Sequence, residues 1–156
     1  MTQRAELAIV MDRLAVDDLV TEYAVAVGDG DWTAYEGLFT ADGRADYRAA
    51  GGIEGGAGQV AGWLAANTAL LAVRQHLIVN RRVRFGLLDH DTGDTARVRA
   101  DYLTPGRWTD TGTPAAPDPV SAGRYDFDLL RTSEGWRLRE AVVLEKWRRP
   151  PAEDAH

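Results

Sequence analysis

RQHLIVNRRV, residues 74–83, is the stretch on which the fold turns. It reads as a buried strand with an imidazole set into its apolar face. Alternate residues of a strand share a side, so His76, Ile78 and Asn80 point one way while Leu77 and Val79 point the other. Of the three histidines, His90 falls in the turn-like DHDTGD segment and His156 at the C-terminus. His76 is therefore the ring expected inside the protein.

Upstream of this stretch the periodicity is helical. Val16, Leu19, Val20, Tyr23, Ala24 and Val27 follow three-or-four spacing, and Asp17 and Asp18 suit a helix N-terminus. The glycines of GDGDWTAYEGLF end that helix, and Asp31 is placed to cap a second one with Trp32, Tyr35, Leu38 and Phe39 as its apolar stripe. ADG at 41–43 signals a turn and RADYRA a strand, followed by the glycine-rich loop GGIEGGAG, whose spacing matches no phosphate-binding loop. A third helix is expected over 59–71, with Val60, Trp63, Leu64 and Leu71 on one side.

Downstream everything reads as strand: 74–87, 95–104, 120–131 and 136–147, with a long Pro/Gly loop, PGRWTDTGTPAAPDP, between the second and third. Helices gathered early and sequential antiparallel strands later predict an α+β fold in which three helices in the N-terminal half cover a strongly bent sheet. Residues 1–148 are expected to form one domain and 149–156 a disordered tail.

Composition narrows the function classes. The 156 residues are 45% hydrophobic and 27% charged, ordinary for a globular protein. A net charge of −6 and a pI near 5.0 exclude the basic surface that nucleic-acid binding needs. No cysteine is present, which removes thiolate chemistry and disulfides and fits a cytoplasmic location. The opening MTQRAELAIVMDRLAVDDL carries acids through its apolar positions, so neither a signal peptide nor a membrane span is expected. No HxH, HExxH or facial histidine pair offers metal-ligand spacing, and no cofactor or metal is expected.

His76 is the candidate general base or acid, because imidazole titrates near working pH. A core histidine bonded to a backbone carbonyl is the competing explanation. In RADYRA, Ala45 and Tyr47 share a face, and a small residue beside a tyrosine suits a cavity wall. On the third long strand, Arg124, Asp126 and Asp128 alternate with Tyr125, Phe127 and Leu129, offering either a polar or an aromatic face to the interior. Arg99 and Asp101 share one strand face and could position a water, or else form a solvent-side ion pair.

The segments YAVAVGDGDWTAYEGLFTADGRADY, the WL-bearing helix, HLIVN and GRYDFDLLRTSEGWRL together resemble the SnoaL-like branch of the nuclear transport factor two-like superfamily, which includes scytalone dehydratase and is related to dehydrochlorinases and polyketide cyclases. The resemblance runs from about Leu14 to Trp147. It implies a cone-shaped α+β half-barrel enclosing a pocket, a homodimer formed through the sheet, and a cofactor-free acid–base site. His76 corresponds to the strand histidine, Tyr47 to the tyrosine of the DYR segment, and Tyr23 to a helix residue that reaches the cavity. Relatives carry an aspartate where this chain has Gly28. The nearest carboxylate is Asp29, and Asp126 is the spare carboxylate that could orient His76.

The function this implies is a dehydratase, isomerase or cyclase acting on a small apolar oxygenated metabolite such as a polyketide or terpenoid. Its catalytic set is His76, Tyr47, Tyr23, Asp29 and Asp126, with Val27, Phe39, Trp63, Asn80 and Tyr102 contacting substrate. A non-catalytic ligand-binding or scaffold protein is the alternative. A limonene-type epoxide hydrolase, using Arg99 and Asp101 with Glu140 or Asp126, is a further one.

Overall fold

Thr2 begins the first helix, its hydroxyl accepting from the backbone N–H of Ala5 at 3.2 Å in place of the missing turn. The computed structural model describes residues 2–109 and 117–150. Helix α1, Gln3–Asp29, is longer at its start than the apolar stripe alone predicts. Its first turns leave Leu7, Val10, Met11 and Leu14 exposed, whereas Val16, Leu19, Val20, Tyr23, Ala24 and Val27 are buried as the spacing requires. Gly30 ends it at φ 67°, a left-handed position that glycine takes without a Cβ clash.

Asp31 caps the short helix α2, Trp32–Gly37, accepting from Ala34 N–H at 3.0 Å. Phe39 does not extend that helix as its stripe suggested. It opens strand β1, Phe39–Asp46, because Leu38 already closes α2 and residues from 39 onward enter the sheet. A 3-10 turn at Arg48–Ala50 and a three-residue strand β2, Glu54–Gly56, occupy what read as loop. Helix α3 spans Ala57–Thr68.

The remaining strands are β3, Leu71–Arg74; β4, Leu77–Phe85; β5, Thr95–Trp108; β6, Val120–Thr132; and β7, Gly135–Arg149. β5 continues past residue 104 through Pro105 and Gly106, and β7 reaches Arg149. The expected tail from 151 lies outside the described residues. One seven-stranded sheet runs in the order β2-β1-β7-β6-β5-β3, with β4 also paired to β5. All its pairings are antiparallel except β1 with β7. The α+β class and the helix-covered, strongly curled sheet stand as expected.

Tyr125, Phe127 and Leu129 of β6, Leu138, Ala141 and Val143 of β7, and Val98 and Ala100 of β5 face the helices and are buried. Away from the pocket, buried Asp12 of α1 ties the helix to the sheet. It pairs with Arg131, meets His90 Nδ1 at 2.7 Å and accepts weakly from Trp136 Nε1 at 3.4 Å. No helix among the described residues is long and apolar enough to cross a membrane.

Candidate active site

His76 sits in a gap. β3 and β4 lie end to end along the same side of β5, and Gln75 and His76 form the two-residue break between them. Gln75 N–H donates to Pro105 O at 3.1 Å, which keeps the chain on the sheet in one register, Arg74 opposite Gly106 and Leu77 opposite Leu103. Strand alternation puts His76 on the side of buried Ile78 and points the imidazole into a cavity of about 430 Å³, so the ring is half-buried within the protein rather than wedged into solid core. That volume suits a small organic ligand.

Three rings position the imidazole. Tyr102 of β5 stacks on it at 6.0 Å and 14°, Tyr23 lies 6.4 Å away at a tilt, and Tyr125 of β6 meets it edge-on at 5.7 Å. Tyr125 Oη is 3.1 Å from His76 Nε2. From there hydroxyls continue inward: Tyr125 Oη lies 3.4 Å from Tyr47 Oη, which in turn bonds Tyr23 Oη. Four groups from a helix, a turn and two parts of the sheet thus make one chain of hydrogen bonds, with Tyr47 and Tyr125 on the cavity wall and Tyr23 beneath it.

Burial sets the protonation states. With no charged partner, desolvation pulls the His76 pKa down to about 4, so the ring is neutral over the ordinary pH range. Desolvation pushes the Tyr23, Tyr47 and Tyr125 phenols up, reinforced for Tyr23 and Tyr47 by the neighbouring phenols, and all three stay protonated donors. Tyr35, packed on Tyr23 at 5.3 Å, is pushed up to about 12 by burial, opposed by the hydroxyls of Tyr23 and Tyr47. Its Oη is buried without a hydrogen bond of ordinary geometry.

A second polar group lines the same cavity. Ser121 Oγ donates to Glu145 Oε2 at 2.7 Å and lies 3.2 Å from Tyr102 Oη, while Arg148 grips Glu145 at 2.6 and 2.9 Å. Glu145 is therefore spoken for and stands with its own counter-charge.

Several expected site residues do line the cavity: His76, Tyr47, Trp63, Val27 and Tyr102. Tyr47 stands just after β1 rather than within a strand, yet keeps the inward side it would share with Ala45. Others do not. Asp29 is exposed, since α1 runs through it and each helical residue turns about 100° from the last, carrying its carboxylate away from the ring. Asp126 was expected to face inward; it lies on the outer side of β6, paired with Arg99 Nε at 2.9 Å.

Asn80 is exposed at φ 53° where the β4–β5 register slips, and its amide donates to Asp101 Oδ2 at 2.9 Å instead of facing the pocket with His76. Phe39 packs beneath the site on Tyr35. Arg99 and Asp101 share the outer face, Asp101 meeting Arg124 at 3.3 Å, and Glu140 is exposed, so the epoxide-hydrolase set does not meet at the cavity.

Tyr125 is the residue that sequence reasoning passed over. Alternation on β6 offered an aromatic or a polar face, and the aromatic one packs inward because burying Tyr125, Phe127 and Leu129 removes far more apolar area than burying three charges would. Gly28 is the other. A Cβ placed on it would lie 3.6 Å from His76 N and 3.8 Å from His76 Cβ, ordinary contact distances, so a side chain there would stand against the base of the imidazole. Among the described residues, no three or more His, Cys, Asp or Glu side chains are grouped to hold a metal ion.

Residues 8–142 match the family described as SnoaL-like domain. An uncharacterized protein of Mycobacterium tuberculosis is 28% identical over 146 residues, covering 87% of this chain and 86% of that protein. Among solved structures, a "putative aromatic ring hydroxylase" of Novosphingobium aromaticivorans is 27% identical, with a TM-score of 0.72 over 88% of this chain and 91% of that one. A nuclear transport factor two-like protein with a cystatin-like fold from the same organism is 23% identical, with a TM-score of 0.68 over 92% and 87%. A hexachlorocyclohexane dehydrochlorinase is 16% identical, with a TM-score of 0.72 over 97% and 95%, a likeness of fold.

Proposed function

Because this chain belongs to the SnoaL-like family, within the nuclear transport factor two-like fold, we propose that it is a cofactor-free acid–base enzyme of the dehydratase, isomerase or cyclase type. The observation that carries this reading is the 3.1 Å contact between Tyr125 Oη and His76 Nε2 at the wall of a mostly apolar cavity. In the neutral ring Nε2–H donates to Tyr125 Oη, which leaves the Nδ1 lone pair as the base and the O–H groups of Tyr125 and Tyr47 to polarise a substrate oxygen. His76 takes the proton; Tyr125 and Tyr47 stabilise the charge that develops on oxygen.

A ring whose pKa is near 4 is a weak base, so the substrate supplies an acidified C–H, flanked by carbonyls or set beside a good leaving group. The mostly apolar lining from Val27, Leu64, Trp63 and Val120 suits an aromatic or polyketide-like metabolite. The dehydrochlorinase that shares the fold removes a proton and a leaving group, which is the same class of step.

Incubating the protein in D₂O with a panel of aromatic 1,3-dicarbonyl and hydroxyketone compounds tests the reading by NMR. Deuterium entering the acidic C–H faster than in buffer, and lost in His76→Ala, is the expected result; no enhancement across the panel refutes it.

The absence of a carboxylate at Gly28 favours a second reading, in which the cavity binds its ligand without turnover. Under it, His76→Ala changes ligand affinity and no exchange is seen with the wild type.

We also propose a homodimer through the sheet. Leu77, Leu103, Ala122 and Trp147 pair in register across four strands on the outer face, and three of them are 41%, 36% and 48% exposed in that order, Ala122 excepted. Leu144 and Val79 flank this row, giving an apolar band with Asp101 and Arg124 paired inside it, which a second copy can cover.

A further inference from the structure

Three arginines border the cavity, and they are not equivalent. Arg148 is neutralised by Glu145, and Arg149 is exposed at the end of β7. Arg74, the last residue of β3 and two before His76, is half-buried and has no carboxylate within ion-pairing distance among the described residues. Most of the other buried or half-buried basic groups do have one: Arg81 with Asp17, Arg124 with Asp101, Arg131 with Asp12. In a chain of net charge −6, a partly desolvated cation without a counter-ion stands out.

Arg74 is also held in place. Its Nη1 donates to Thr68 Oγ1 at 2.7 Å, and the Thr68 hydroxyl is itself oriented by donating to Leu64 O at 2.7 Å. The guanidinium lies 5.9 Å from the Trp32 ring centre, and it rests on Gly30 so closely that a Cβ there would collide with it. The carbonyl ends of α1 and α3, at Gly30 and Thr68, favour a cation at this spot. Nη1 is thus engaged by Thr68 and Nη2 lies against Gly30, while the Thr68 bond is the one side-chain hydrogen bond Arg74 makes among the described residues, so N–H donors are left for a ligand. Asn67 and Gln75 add polar lining beside an otherwise apolar hollow.

We propose that the cavity takes an anionic ligand, a carboxylic acid with an aromatic or polyketide-like body, and that Arg74 binds its carboxylate. This deepens the acid–base reading and rests on it for the role of His76: anchoring the carboxylate at Arg74 places the apolar body along Trp63 and Leu64 and the reacting carbon under the imidazole. Arg74 is a binding residue and takes no proton.

The test compares 2-naphthoate with its neutral methyl ester as probes, using calorimetry or tryptophan fluorescence on the full chain. The acid binds the wild type roughly tenfold or more tightly than the ester, and added salt narrows the gap. Arg74→Gln abolishes the preference while leaving ester affinity within about twofold, which also reports that the cavity is intact. His76→Ala keeps the preference even where deuterium exchange is lost, so failure of the catalytic reading leaves this one standing. Equal affinity for acid and ester in the wild type, no binding of the acid at millimolar concentration, or a preference that survives in folded Arg74→Gln overturns the proposal.

Discussion

Gly28 faces His76 with nothing between them: a Cβ on Gly28 would lie 3.8 Å from the Cβ of His76 and clash with no neighbour. The backbone there is ordinary helix, so a side chain is tolerated. Gly28→Asp sets a carboxylate beside a ring that now has no charged partner. An opposite charge within about 4–6 Å raises an imidazole pKa by about 1–3. The His76 titration followed by NMR of the ring protons therefore moves up from about 4 toward neutrality. An unmoved titration in a folded variant contradicts the facing geometry.

Stability depends on pH through the same ring. The native state binds the His76 proton less readily than the unfolded chain, whose histidine titrates at the ordinary value of about 6.5. Between about pH 6.5 and 4 the unfolded state holds more protons, so this contribution is fully present above that window and is lost as pH falls through it. Its ceiling is on the order of 3 kcal/mol. Urea unfolding at pH 7 and pH 4.5 checks this: His76→Gln loses less stability between the two pH values than the wild type does.

Tyr125→Phe removes the hydroxyl that joins His76 to the tyrosine chain while keeping the ring that packs on Phe127. Exchange activity falls by about 10²–10⁴-fold, the usual worth of a positioned acid–base group. Stability falls by only about 1 kcal/mol. Tyr23→Phe, one step further from the cavity, has the smaller effect on activity. Equal rates for Tyr125→Phe and wild type in the D₂O assay exclude the role given to this hydroxyl.

Trp147→Lys puts a charge into the apolar row of the outer sheet face. Light scattering on a sizing column shows a dimer for the wild type and a monomer for the variant, with the cavity probes still bound. A monomeric wild type at tens of micromolar removes the dimer proposal.

The helices were legible because their apolar positions repeat at the spacing that tertiary burial uses, as Val16 to Val27 do. The start of α1 was not, since Leu7, Val10, Met11 and Leu14 face outward and backbone propensity with a Thr2 cap carries the helix there. His76 was found because one imidazole in an apolar strand is conspicuous. Its partner was harder: Tyr125 was one of two equivalent alternation choices, and only the sheet's curl settles which side is inside. Asp126 and Asn80 were misplaced for related reasons. Asp126 belongs to the face that packing left outside, and a one-position register slip at Asn80 reverses the direction that strict alternation gives.

The two-residue gap that separates β3 from β4 makes the imidazole's aim a matter of counting rather than of packing. Arg74 opposite Gly106 and Leu77 opposite Leu103 keep one register across it, so removing Gln75 alone would force either β3 or β4 to turn its faces over against β5. The base is therefore tied to the sheet's own register: a change of chain length at that margin carries core residues such as Ile78 along with it.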